Sequence, residues 1–317
     1  MAPKMPKAFL QAVATHRARL EKVTVGTAVG PLKKLYDEAQ AQLVRKIAKA
    51  VQAKKGDTFT AHQNRQVLVQ LREGQRIITQ RMAGKMGPLS AKAQEASLKG
   101  LANDVAKLSK HFTGSEVTVP IDEAAHFAGV INRRAPSLLK QHTTSMARYG
   151  VNVVNKVERG LAVSLLKGES SSEAIDTVEE LIDGEWWQGE RIVRTEMAYA
   201  FNATHADGME ESAQALPELR MRWEENCDDD GEPLDDRVAV DSLAMHGQVV
   251  APGGLFVMPP TSRVLGPKGE TQVPKSLVGL AWEFPPNRPN DRAVLAPWMP
   301  DWGVPGWAWD GSKRVPL

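Results

Sequence analysis

The chain reads as an α+β protein: a mainly helical N-terminal arm, then a core of helices around a small antiparallel sheet. Three observations predict this. Apolar residues recur at three and four through the first 112 residues; a short period-two stretch, Leu219, Met221 and Trp223 alternating with Arg220 and Arg222, follows Pro217; and Gly and Pro crowd the last third. At 317 residues the chain exceeds a typical domain of ~100–200 residues, so two folded units, or one with a long appendage, are expected.

In chain order, Leu32, Leu35, Tyr36, Ala39, Leu43, Ile47, Ala50 and Val51 form one apolar stripe between Pro31 and Lys55, with Gly56 as the stop. Val67, Leu68, Leu71, Ile77, Ile78 and Met82 form a second from Thr60 to about Met86, closed by Gly84, Gly87 and Pro88. Leu98, Leu101, Val105 and Leu108 form a third between Ser90 and Lys110. Aromatic residues are scarce there, so the arm is expected to pack on a partner or to stand as an elongated hairpin bundle.

Residues 113–136 lose periodicity around Gly114, Pro120, Gly129 and Pro136 and read as a linker. A helix follows from Ser137 to Lys167, ended by Gly168; Ser170 with Glu173 offers a capped start for the helix carrying Ile175, Val178, Leu181 and Ile182. Another helix runs from near Trp187 to about Gln214. Beyond the Leu219–Trp223 strand, a short helix ends at Gly247, Gln248-Val249-Val250 extends as a strand, and Gly253 to Gly269 forms a long surface loop with a short hairpin at Leu255 to Met258. Residues 292–298 close the sheet. The expected division is thus arm 1–112, linker 113–136, core 137–297 and tail 298–317.

Composition excludes several classes. A single cysteine, Cys227, rules out an internal disulfide and any cysteine-cluster metal site. No run of about 18 apolar residues suggests a membrane span, and the basic Met1–Lys7 segment leads into no signal-peptide stretch before His16 and Arg17. The chain lacks G-x-S-x-G, a P-loop, H-E-x-x-H and a dinucleotide fingerprint. Asp228-Asp229-Asp230-Gly231 invites a calcium-loop reading, yet Arg237 falls where the bidentate Glu would have to stand, so a solvated acidic loop is expected.

Net charge is +2, but residues 1–112 hold 21 Lys+Arg against 7 Asp+Glu, and the remainder 19 against 31. Lys33, Lys34, Arg45, Lys46, Lys49, Lys54 and Lys55 are the densest basic group, read either as contacts to DNA phosphates or a partner, or as a solvated helical face. Only Tyr36 interleaves them, which argues against base stacking. Trp298, Trp302, Trp307 and Trp309 sit among prolines in the tail and suit either a docking surface or a segment folded back over its own sheet.

An ordered set of islands stands out in the second half: Arg194-Thr195-Glu196 with Asn202, then Trp223, then Asp236-Arg237-Val238, then His246-Gly247-Gln248-Val249-Val250, then Pro285-Pro286 with Pro289-Asn290-Asp291-Arg292. In that order they resemble the phage Mu F-like head morphogenesis family, over roughly residues 150–297. The resemblance implies a minor head (minor capsid) protein of a tailed phage. Such a protein joins the procapsid with the portal protein and the major capsid or scaffolding protein, acts at or near the portal vertex after assembly in the host cytoplasm, and contacts packaged double-stranded DNA. It implies binding without chemistry and no cofactor.

On this reading Arg194, Thr195, Glu196, Asn202, Trp223, Asp236, Arg237, His246, Gly247, Pro289, Asn290, Asp291 and Arg292 hold the fold. Arg194 and Glu196 stand two apart and do not face each other on a helix. Many relatives carry Cys or His ligands resembling a zinc knuckle; here the matching places are Ala239, Ser242, Arg288, Asp291 and Ala293, so no metal is expected. Pairs of Arg237 or Arg292 with Asp236, Asp241 or Asp291 are expected to tie those segments instead. The alternatives are an ADP-ribosyltransferase-like or toxin-like enzyme using Arg194 and Glu196, and a free DNA-binding accessory protein. About 20 residues follow the matched stretch in this sequence, so no appended toxin domain is expected.

Overall fold

The computed structural model describes residues 4–51, 57–119, 124–228, 233–234, 238, 240–260, 263–266, 269–286 and 291–317, with backbone alone at 124–127, 263–266 and 269–271. It is mostly helical with small antiparallel sheets, the α+β arrangement expected. The helices are α1 (Lys7–Glu21), continued by a π-helical segment (Lys22–Val29) into α2 (Gly30–Ala50); α3 (Ala61–Thr113); α4 (Ala124–Lys167); α5 (Ser171–Asp183); α6 (Trp186–Ser212); and α7 (Val240–Met245). The strands are β1 (Arg220–Glu224), β2 (Val249–Val250), β3 (Phe256–Val257), β4 (Arg263–Gly266), β5 (Gly269–Gln272), β6 (Ala281–Trp282), β7 (Val294–Trp298), β8 (Trp307–Trp309) and β9 (Arg314–Pro316). No helix of the described residues is long and apolar enough to cross a membrane.

The chain divides into two compact units that do not follow sequence order: residues 1–24, 90–135 and 195–317 make the first, residues 25–89 and 136–194 the second. The first 112 residues therefore contribute to both units, and the division into an arm, a linker and a core does not coincide with them. Two helices run through their expected ends. In α3 the chain passes Gly84, Gly87 and Pro88 without a break. A proline ring inside a helix crowds the carbonyl four residues back and the residue just before it, and here those residues are Gly84 and Gly87, which carry no Cβ. Met82, Met86 and Leu89 are buried there, so packing holds the helix through the lost hydrogen bond. Likewise α4 starts at Ala124 and passes through Pro136, with Val130 and Leu138 buried on either side.

In the second unit, α2 lays its stripe of Leu32, Tyr36, Leu43 and Ile47 inward. The aromatic mass that the stripe lacks arrives from elsewhere in the chain. The Tyr36 ring lies 5.3 Å from Trp186 and 6.2 Å from Tyr149, and its hydroxyl donates to the Ile182 carbonyl at 3.0 Å. Gly168, at φ +68°, ends α4 in the left-handed conformation that glycine adopts freely. At the start of α5, Ser170 and Glu173 form a reciprocal capping box.

In the first unit, the three-stranded antiparallel sheet has the order β2-β1-β7, with Arg222 opposite Val249 and Ala296, and Trp223 opposite Leu295. Trp223, Leu219, Met221, Leu295, Phe256, Met245, Met209, Leu101 and Val105 share one apolar core beneath it. The strand expected to be half-exposed is not: Arg222 is 2 % exposed, because its guanidinium lies over the Phe9 ring of α1 at 5.3 Å and pairs with Glu224 on the same strand face. The hairpin expected at Leu255 to Met258 is absent. β3 instead pairs with β6, and a β4–β5 hairpin occupies the loop between them.

Candidate functional site

Of the motif residues in the first unit, Asn202, Trp223, His246, Gly247 and Asp291 converge around the sheet. Asn202, on α6, is fully buried; its amide donates to the Ala293 carbonyl at 3.3 Å, and its carbonyl oxygen accepts from the Leu295 N–H at 3.2 Å. β7 is a sheet edge, and the Asn202 side chain satisfies two of its backbone groups as a neighbouring strand would. Asn202→Ala is expected to leave both groups buried and unpaired and to lower stability by about 2–3 kcal/mol, read as a shift of the urea midpoint; an unchanged midpoint would show that Asn202 does not hold the edge.

Trp223 projects from β1 into the core with 0 % exposure, its ring edge-on to Phe256 at 5.3 Å. Its indole N–H donates to Ser242 Oγ of α7 at 3.2 Å; that hydroxyl donates to Asp291 Oδ1 at 3.3 Å, and the same oxygen accepts from the Ala293 N–H at 3.0 Å. One relay thus links β1, α7 and the entry to β7. Gln248 fixes a further element: its side chain accepts from the Val257 N–H and donates to the Val257 carbonyl, pinning β3.

His246 lies just past the C-terminus of α7. Its Nδ1 accepts from the Glu225 N–H at 3.1 Å, and its carbonyl accepts from the Trp307 indole at 2.9 Å. Burial, reinforced by Arg222, Arg17 and Arg314, pushes the imidazole down to about 3, so it is a neutral acceptor at physiological pH and its closeness to Glu224 is not an ion pair. Gly247 follows at φ +79°, and a Cβ there would stand 3.3 Å from both Arg222 Nη2 and Trp307 Nε1. Burial, with Asp291 nearby, raises Glu225 to about 7.

A second buried cluster joins α1, α3 and α6. The His16 and His205 rings lie 4.2 Å apart beside Phe201, and Ser97 Oγ donates to the Phe201 carbonyl at 2.8 Å and lies 3.3 Å from His205 Nδ1. Asp104 holds Arg19 through both carboxylate oxygens, at 2.6 and 3.1 Å, with His16 Nδ1 3.6 Å away. Burial lowers both histidines, His205 well below its ordinary value. Perturbed titratable groups of this kind mark reactive sites only where substrate can reach them, and His16, His205, Ser97 and Asp104 are almost entirely enclosed.

The other expected site residues fall as follows. Arg194, half-buried, pairs with Glu190 one turn back at 2.9 Å; Thr195 follows it, and Glu196 is 4 % exposed. Arg292 is half-buried. Asp236, Arg237, Pro289, Asn290, Lys54 and Lys55 lie outside the described residues. Lys33, Lys34, Arg45, Lys46 and Lys49 are exposed on α2, but Lys33 pairs with Asp37 at 2.6 Å and Lys34 with Glu38 at 3.9 Å.

The tail does not project as a docking surface. Trp298 is 3 % and Trp302 1 % exposed; the Trp298 indole donates to the Val304 carbonyl, and Trp302 stacks on Phe112. Trp307 and Trp309, half-buried, sit on the β8–β9 hairpin, which Arg314 fastens by lying over the Trp307 ring and donating to the Ala244 carbonyl. Trp302 thus packs on α3, and Trp307 donates to the His246 carbonyl just ahead of β2.

Among the described residues no three His, Cys, Asp or Glu side chains come together as metal ligands. What sequence reasoning missed is the pair of buried histidines. Their signal was present, since His16 continues the Phe9, Val13, Leu20 stripe and His205 stands one turn after Phe201. No family model, curated protein or solved structure matches the chain.

Proposed function

We propose that the chain is a minor head protein of a tailed phage, acting in head morphogenesis at or near the portal vertex. The observation that carries this reading is that Asn202, Trp223, His246 and Asp291, spread over 90 residues, meet in one buried hydrogen-bonded framework around the three-stranded sheet. Motif positions that hold a fold, with their polar atoms turned into the protein, suit a binding and assembly role better than turnover. Its partners are then the portal protein and the major capsid or scaffolding protein.

Contact with packaged double-stranded DNA rests on α2, where Arg45, Lys46 and Lys49 are exposed, and on a second unit that carries 19 basic against 13 acidic residues. The pairing of Lys33 and Lys34 with acids weakens their share. The test is quantitative mass spectrometry of density-purified particles and procapsids, counting this chain against the portal subunit. A reproducible sub-stoichiometric signal is expected; absence from both kinds of particle overturns the reading and favours a transferase-like or toxin-like enzyme, whose turnover would be lost on changing Arg194 and Glu196.

A further inference from the structure

On the second unit, α2, the end of α5 and the start of α6 enclose an open cleft of about 520 Å³. Its lining is rich in acceptors: Asp37 from α2 and Glu179 and Asp183 from α5 bring three carboxylates, against the single ammonium of Lys33. Gln40 lines it too, at 4 % exposure; its amide donates to Asp183 Oδ1 at 2.5 Å, and its Oε1 has no hydrogen-bond partner. A buried carbonyl oxygen left without a donor is costly, and here the orphaned acceptor belongs to a wall that opens on solvent.

The remaining wall is aromatic. Trp186 and Trp187 both line the cleft, and Trp187 is 56 % exposed, unusual for so large a ring. Both indoles already face cations of this chain: Lys33 Nζ stands 5.9 Å from the Trp186 ring and the Arg191 guanidinium 5.2 Å from that of Trp187. Carboxylates, an orphaned carbonyl and ring faces together accept one chemistry, a flat cation with several N–H donors that stacks.

We propose that this cleft is a docking site for an arginine side chain presented by a basic segment of a partner protein. The guanidinium stacks on the exposed indole of Trp187, shares the carboxylate field of Asp183 and Glu179, and draws the buried Oε1 of Gln40 round as a further acceptor. Planarity and five donors favour arginine over lysine, whose ammonium offers three donors and no stacking face. The inference does not depend on the head-protein reading, since the cleft contains none of the motif residues that carry it, and it places Lys33 in a cation-binding corner instead of a phosphate contact.

The test uses the full chain, with the indole N–H resonances of Trp186 and Trp187 assigned through Trp187→Phe. The peptide Ac-Gly-Arg-Gly-NH2 is titrated against its citrulline counterpart, which keeps the shape and loses the charge. Saturable shifts of those two resonances are expected with arginine, at least fivefold weaker binding with lysine, and none with citrulline. Gln40→Leu should weaken the arginine peptide about tenfold, with helical content by circular dichroism unchanged; Glu179→Gln, on an exposed helix face, gives a second measure if Gln40→Leu fails to fold and should weaken it severalfold. Equal binding of arginine and citrulline, no saturable shift, or full affinity in both variants overturns the proposal, as does a phosphate-bearing oligonucleotide that shifts the same two resonances more strongly than the peptide.

Discussion

Trp223→Ala is expected to cost the first unit about 3–5 kcal/mol, the range for removing a fully buried aromatic side chain from a core. The indole is a fully buried member of the apolar core of the first unit, edge-on to Phe256, and its N–H begins the relay through Ser242 to Asp291. Both contributions vanish together, and total stabilities of about 5–15 kcal/mol leave little to spare. Trp223→Phe separates them: it keeps most of the ring and loses the donor, so a cost near 1–2 kcal/mol is expected. Urea unfolding followed by circular dichroism gives both values. Equal costs for the two substitutions would show that the relay, not the packing, dominates.

Acid is expected to destabilise the first unit through its buried histidines. His16, His205 and His246 all have folded-state pKa values below the ordinary 6.5, because burial disfavours the imidazolium. The unfolded chain therefore binds more protons than the folded one as pH falls through 6.5, and stability drops with it. Glu225 works in the opposite direction. Its pKa is raised to about 7, so between 7 and the usual carboxylate range the folded state takes up a proton that the unfolded state does not, offsetting about one histidine.

The three histidines outnumber Glu225, so the stability of the first unit is expected to fall as the pH drops below about 6.5. Asp104, which burial pushes up but the hydrogen bonds from His16 and Arg19 together hold below its ordinary value, loses its contribution only as pH falls below the ordinary aspartate range. His205→Phe, which keeps a ring between Phe201 and His16, should flatten the slope. An unfolding free energy that stays level from pH 7 to pH 5 would mean that these imidazoles are not buried neutral.

The helices were legible because their stripes follow period 3.6 regardless of what covers them: α2, α5 and α6 are close to where Tyr36, Ile175 and Phe201 put them. Their ends were less so. Gly87-Pro88 and Pro136 are local stop signals, and burial of Met86 and Leu89, or of Val130 and Leu138, overrides a local signal only through residues distant in the chain. The same limit hid Arg222. Its alternation with Met221 and Trp223 predicts a solvent-facing side chain, but Phe9 covers it from more than 200 residues away. At the candidate site, motif spacing picked out Asn202, Trp223, His246 and Asp291, whereas Ser97, Asp104 and the two histidines belong to helical stripes in which a polar residue looks incidental until its neighbours are known.

The interleaving of the two units also sets a timetable for synthesis. Arg17 donates to the Glu225 carbonyl 208 residues downstream, and β1 cannot pair with β7 until Trp298 exists. At ribosomal speeds of about 5–20 residues per second, α1 waits on the order of 10–40 s for its strand. During that interval the Phe9 ring lacks Arg222, the side chain that lies over it, so the nascent chain is a natural client for chaperones that hold short apolar segments.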